Sequence, residues 1–291
     1  MKIYIITAFI FLSIVPSNAM DSQDLEAIIL SIIKNDDSDK KSKVLIKQKK
    51  EKKRTDTSSE EKDIKEDKLN ESNTKSGALP PDGLLFNIGI KLYNARLFEN
   101  AIKKFKELKD AYPDSIYRDN AAIWSARVYL KLGKNNVALK ELNDIGEDSG
   151  ELPSALYYKA IIENNSLNSS KAIEYYSRIS SQFPDHYLAD DALISLGNIL
   201  IKGKKGNQAL DTFMKIIKEY PDRETVDDAY FLIGKVFEKD PVLKDYETAW
   251  QIYKVFLKKA ADKSFPNFWN SPLKESVIRD LNHIELIYFR H

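Results

Sequence analysis

Residues 197–216 read GNILIKGKKGNQALDTFMKI, and the second half of that stretch decides the fold. Ala209, Phe213 and Ile216 are spaced four and three residues apart, which places them on one face of a helix. The same triplet returns as Ala101-Phe105-Leu108, Ala138-Leu142-Ile145, Ala172-Tyr176-Ile179 and Ala249-Tyr253-Phe256. Taken in chain order, the five alanines lie 37, 34, 37 and 40 residues apart, a period typical of stacked two-helix repeats. An alanine at the same point each time predicts that a neighbouring helix passes close there. Arrays of this kind work by holding other molecules.

Working outward from the triplets, the periodicity predicts helix pairs at 83–96 with 98–111, 116–132 with 135–145, 153–163 with 168–182, 187–202 with 206–219 and 224–238 with 244–261. Tyr112-Pro113-Asp114, Phe183-Pro184-Asp185 and Tyr220-Pro221-Asp222 stop three of the second helices. Gly133, Gly203 and Gly206 mark turns inside pairs. A last helix from about 273 to 289 caps the array, and no strand pattern is present. The expected class is all-α: a right-handed solenoid of about five helix pairs with a C-terminal capping helix, over residues 82–291.

Upstream the chain changes character. Residues 1–19 carry a basic start, an apolar run from Ile3 to Val15 and small residues at Ser17 and Ala19, the pattern of a cleaved secretory signal. The run is too short for a comfortable membrane anchor. Within residues 20–34, Leu25, Ile28, Ile29, Ile32 and Ile33 form an amphipathic stripe; a helix this short needs a sister subunit, another protein or its own repeats to cover it. Residues 35–81 are charged and poor in large apolar side chains, a disordered tether whose basic block, Lys40 to Arg54, reads as a solvated linker.

The absence of cysteine removes disulfides, thiolate metal sites and the acyl anchor of a lipoprotein. A formal charge of +1 argues against nucleic acid, which demands a basic excess. A leader, no acyl cysteine and no further apolar span lead to an expected periplasmic address, with the extracellular space as the alternative.

The repeats resemble the tetratricopeptide family, which sets a small residue, an alanine, an aromatic and a proline at fixed points of each repeat. The first repeat supplies Gly89, Ala101, Phe105 and Pro113, the third Ala160, Ala172, Tyr176 and Pro184, and the fourth Gly197, Ala209, Phe213 and Pro221. The second offers Ala126, Ala138 and Leu142 without the terminal proline. The fifth has Gly234, Ala249 and Tyr253 with three extra residues around Asp240-Pro241, which should lengthen the inner turn. The whole arrangement also resembles the periplasmic coordinator of the Tol–Pal envelope system, through Tyr112-Pro-Asp-Ser115, Tyr220-Pro-Asp222 and residues 190–197. The amphipathic helix is shorter, and the repeats more numerous, than in that group. The repeats of the outer-membrane assembly lipoprotein serving β-barrel insertion are similar too, though it needs the missing cysteine.

No catalytic, cofactor-binding or metal-binding residues are expected. His186, His283 and His291 have no ligand neighbours at metal spacing, and the first two read as surface residues. Asp190-Asp191 and Asp227-Asp228 fit helix N-termini better than paired acid–base chemistry. The Gly203–Gly206 segment lacks phosphate-loop spacing.

The resemblance implies instead that the first helices line a groove for an extended or helical peptide of an envelope or cell-wall protein. Candidate groove residues are Phe86, Tyr93, Asn120, Arg127, Tyr157, Asn198, Phe231 and Lys235. Arg127, Asn198 and Lys235 share one position in their repeats and have the least reason to be there for packing. Reversing Arg127 and Lys235 to Glu is therefore expected to weaken partner capture while sparing the melting temperature.

Overall fold

The computed structural model describes residues 80–289; the leader, the amphipathic segment and nearly all of the tether expected from the sequence lie outside the described residues. Five antiparallel pairs follow in order: α1 (Pro81–Asn94) with α2 (Phe98–Ala111), α3 (Arg118–Lys131) with α4 (Asn135–Asn143), α5 (Leu152–Asn165) with α6 (Ser169–Gln182), α7 (Ala189–Lys202) with α8 (Gly206–Glu219), and α9 (Val226–Lys239) with α10 (Tyr246–Ala260). A short helix α11 (Pro266–Trp269) leads into α12 (Lys274–Ile284), which lies against α10 and runs into a π-helical turn at Glu285–Phe289. Each helix of the five pairs packs on the next in sequence, and no strand occurs among the described residues. This is the all-α solenoid that the triplets predict.

Every triplet residue is buried in the seam between its own pair and its neighbours. The reason for the small residue in the first helix is now visible. A Cβ added at Gly89 would stand 2.8 Å from Phe105 Cδ1, and one at Gly234 would stand 2.8 Å from Tyr253 Cδ1. At Gly197 it would come closer than 3.0 Å to Cε1 and Cζ of Phe213. Each ring lies on bare backbone, so the two helices close to the distance that the aromatic thickness sets. Burying rings of this size stabilises the fold by about 1.5–3 kcal/mol each. The core is largest from the third pair to the capping helix, with smaller clusters in the first and second pairs.

The inner turns share one geometry that the sequence does not advertise. Arg96, Gly133, Leu167 and Lys204 each have φ between 57° and 70°. The residue after each donates its N–H to the carbonyl five positions back: Leu97 to Leu92, Lys134 to Tyr129, Asn168 to Glu163 and Lys205 to Leu200. This is a Schellman closure, which glycine normally fills, and only one of the four is glycine. Gly206 is not a turn residue, as the sequence suggested, but the first residue of α8. It is small because the lengthened turn of the fifth pair lies on it: an added Cβ would meet Asp240 Cγ at 2.7 Å and Leu243 Cδ1 at 2.9 Å. The insertion at Asp240-Pro241 thus lengthens the turn as expected. Asp240 Oδ1 accepts from the N–H groups of Val242 and Leu243, and Asp245 caps α10.

Successive pairs are tied at the outer turns by a recurring polar seam. Ser115 accepts from the N–H of Tyr117 and donates to Asp82 at 2.6 Å; Ser149 accepts from Glu151 and donates to Asp119 at 2.6 Å. His186 takes the accepting half of this role at the next seam, its Nδ1 receiving the Leu188 N–H at 3.2 Å. Thr225 then donates to Asp190 at 2.9 Å. His186 is therefore half-buried and structural rather than a surface residue, and burial, with Arg223 adding to it, pulls its pKa down to about 4. The first-turn aspartates do more than complement the helix dipole, because they join one pair to the next. Trp269 ends α11, and its neighbour Phe268 inserts against Tyr230 and Phe256.

Candidate functional site

The first helices of the pairs, α1, α3, α5, α7 and α9, stand side by side in one layer, and the second helices form the other. Residues one turn apart on each first helix point away from the second layer and together line the candidate groove. Ile90, Ile161, Ile194, Ile201 and Phe231 are half-buried along it. Asn164 and Asn198 lie among them.

Most of the predicted groove residues are engaged by the fold itself. Phe86 stacks on Tyr117 with ring centroids 5.3 Å apart, and Tyr93 is buried edge-on against Trp124 at 4.9 Å. Asn120 donates to Glu151 at 3.0 Å, linking the second pair to the third. Tyr157 is buried in T-shaped contact with Tyr158 and Tyr176; burial, with the Asp191 charge adding to it, pushes its phenol pKa up. Phe231 leans on Tyr253 at 6.2 Å.

Arg127 and Lys235 overturn the expectation that they are spare. Arg127 is only 6 % exposed, and its guanidinium carbon sits 3.8 Å from the Trp124 ring centroid and 5.4 Å from that of Tyr93. A planar cation between aromatic faces is a packing element here. Lys235 donates to Glu238 at 2.7 Å and to Asp280 of α12 at 3.0 Å. Burial opposes its charge, but those two carboxylates outweigh it and hold its pKa above the usual lysine value. Glu238 also accepts from the Tyr253 hydroxyl at 2.9 Å, so one buried carboxylate joins α9, α10 and, through Lys235, the capping helix.

Asn198 is the exception. It is half-buried, flanked by Ile194 and Ile201, and no side-chain hydrogen bond to it is found among the described residues. Sequence reasoning missed Trp124 and Asp280. Trp124 lies one turn before Arg127 on the same helix face, a spacing that could have flagged the pair. Asp280 sits 45 residues from Lys235, and no local signal links them. Among the described residues no group of three or more His, Cys, Asp or Glu side chains could hold a metal ion, and no helix is long and apolar enough to cross a membrane.

Consecutive antiparallel helix pairs with a small-on-aromatic contact are the packing of a tetratricopeptide-type solenoid. The family model described as tetratricopeptide repeat matches residues 154–186 and 191–223, which cover the third and fourth pairs. Among solved structures, the fold is similar to that of MamA protein, at 21 % identity and a TM-score of 0.51, over 63 % of this chain and 93 % of that one. It is also similar to a tetratricopeptide repeat protein from Parabacteroides merdae, at 14 % identity and a TM-score of 0.50, over 70 % of this chain and 79 % of that one. Likenesses at this level of identity speak for the fold. No curated protein matches the chain.

Proposed function

We propose that this protein is a non-enzymatic scaffold of the bacterial periplasm that holds an extended or helical peptide segment of an envelope protein in the first-helix groove. The observation that carries this reading is Asn198. A half-buried amide with unused hydrogen-bonding capacity, set between Ile194 and Ile201, offers what a peptide backbone and its apolar side chains require. The fold supports an interaction role, since stacked helix pairs expose a long continuous face and concentrate no reactive groups. The periplasmic address rests on the leader pattern of residues 1–19 and the lack of an acyl cysteine, and a role beside the Tol–Pal machinery rests on the shared arrangement of leader, amphipathic segment, polar tether and repeats. Extracellular release is the alternative address.

A photo-crosslinker placed at position 198 in the full chain should capture one discrete partner from envelope extract, and Ile194→Lys should abolish that capture without lowering the melting temperature. Binding to purified wall sacculi in preference to extract would instead favour a glycan-binding or glycan-processing role. Capture of β-barrel assembly components would make the chain an outer-membrane assembly adaptor. No capture at position 198 from either source would remove the groove reading.

A further inference from the structure

The two long edges of the solenoid differ in chemistry. In an antiparallel stack all turns within pairs fall on one edge and all turns between pairs on the other. The edge between pairs is acidic, with Asp114, Asp144, Glu147, Asp148, Asp185 and Asp222 in or beside its loops. The edge within pairs is basic and aliphatic. Arg96 and Leu97 stand in its first turn, Lys131, Leu132 and Lys134 in the second, Leu167 in the third, Lys204 and Lys205 in the fourth, and Val242 and Lys244 in the fifth, every one of them exposed. The acids on this edge serve their own turn, Asp240 and Asp245 accepting from local backbone N–H groups.

Leu167 is the telling residue. It is 90 % exposed and held at φ 62°, so neither packing nor backbone preference accounts for a leucine at that position. Val242, 85 % exposed, is a second aliphatic side chain at a turn tip. Apolar tips set in a row among lysines from the second to the fourth turn, with the loop carboxylates of those pairs on the far edge, constitute a surface that favours one orientation.

We propose that the inner-turn edge docks on an anionic lipid bilayer, with Leu132 and Leu167 entering the interfacial layer and Lys131, Lys134, Lys204 and Lys205 facing phosphate headgroups. The second to fourth turns, at helix spacings of about 10 Å, span roughly 20 Å, enough for several headgroups to be met at once. Basic residues near a negative leaflet and aliphatic side chains in the interface act together in this mode of binding. Separate tips without a shaped cleft between them match a fluid apolar layer rather than a second protein surface. Docking on this edge leaves the first-helix groove open, so the inference stands apart from the peptide-binding reading.

The lack of cysteine makes the test direct, because a single introduced thiol labels uniquely. The full chain carrying Leu167→Cys is labelled with an environment-sensitive nitrobenzoxadiazole dye and mixed with phosphatidylcholine vesicles, with and without about one third phosphatidylglycerol. A matched Asp148→Cys chain reports the acidic edge. The expected result is a blue shift and a rise of at least twofold at position 167 with the anionic vesicles only, and no change at position 148. Lys204→Glu with Lys205→Glu should weaken the vesicle affinity read at position 167 about tenfold. Because both positions are read locally, membrane binding by residues outside 80–289 cannot imitate the pattern. Sedimentation with vesicles but no dye response at 167, an equal response to neutral vesicles, or the same response to polyglutamate would overturn the proposal. Should Leu167→Cys lose helix content by circular dichroism, Leu132→Cys, exposed in the second turn, supplies the second site.

Discussion

Substituting Gly197 by Ala tests the small-on-aromatic contact at its tightest point. The new methyl group would intrude below 3.0 Å on Cε1 and Cζ of Phe213, whose ring is fully buried and has no free space to retreat into. Overpacking of this kind costs about 1–3 kcal/mol, against a gain of up to ~1 kcal/mol because alanine prefers a helix interior to glycine. A net loss of about 1–2 kcal/mol follows. Alanine occupies the same point in two other pairs, Ala126 with Leu142 in the second and Ala160 with Tyr176 in the third, so the clash is specific to pairs whose ring lies on bare glycine backbone. Phe213→Leu alone should cost about 1–2 kcal/mol through the space it vacates. Combined with Gly197→Ala, it should cost no more than it does alone, giving a coupling of about 1–2 kcal/mol. Urea unfolding followed by far-ultraviolet circular dichroism measures the four corners of the cycle, and hydrogen exchange should confine the loss to α7 and α8. Additive effects, or a neutral Gly197→Ala, would show that the helices are not held apart by the ring.

Three further outcomes are expected. Arg127→Glu should destabilise by about 3 kcal/mol, because it replaces a cation held between aromatic rings by a nearly buried carboxylate; Lys235→Glu should likewise lower the melting temperature, contrary to what a free groove residue would show. His186 has a folded pKa near 4, below its unfolded value of about 6.5, so the unfolded chain binds the proton more readily and stability is lost as pH falls between those values. With part of the ring in solvent the loss should amount to about 1–2 kcal/mol, and His186→Ser, which restores the seam residue of the neighbouring pairs, should flatten the stability–pH curve in that window. Leu167→Gly should raise stability by about 0.5–1 kcal/mol in thermal melts, since relief of the left-handed backbone outweighs the added freedom of the unfolded chain.

The repeat fold was legible because its cause is local and periodic. Ala209, Phe213 and Ile216 meet their partners within one pair, and the same solution recurs with little change. Ends of the paired helices moved by at most two residues, as at α3, which begins at Arg118 rather than 116, because the Ser115 turn consumes two residues before the helix can start. The candidate site was less legible. Trp124, one turn from Arg127, gives a local hint of its ring contact, but the second ring, Tyr93, lies a whole repeat away, and whether Lys235 is free depends on Asp280 beyond the last pair. Such pairings cross the period and leave no mark in it. The left-handed turns at Arg96, Leu167 and Lys204 escaped notice for the opposite reason, since the expected glycine is missing where the geometry calls for one.

The lengthened turn resting on Gly206 bears on how the array deforms under load. It packs the fifth pair on the fourth across their inner side, while Thr225 and Asp190 fasten the same two pairs across the outer side. The second pair is tied to the third at the outer turn, by Ser149–Asp119 and Asn120–Glu151, but its α4, at nine residues, is the shortest of the paired helices and precedes a long connecting loop. A pull along the solenoid would therefore be absorbed near the joint between the second and third pairs, and the distal portion would travel as a rigid lever.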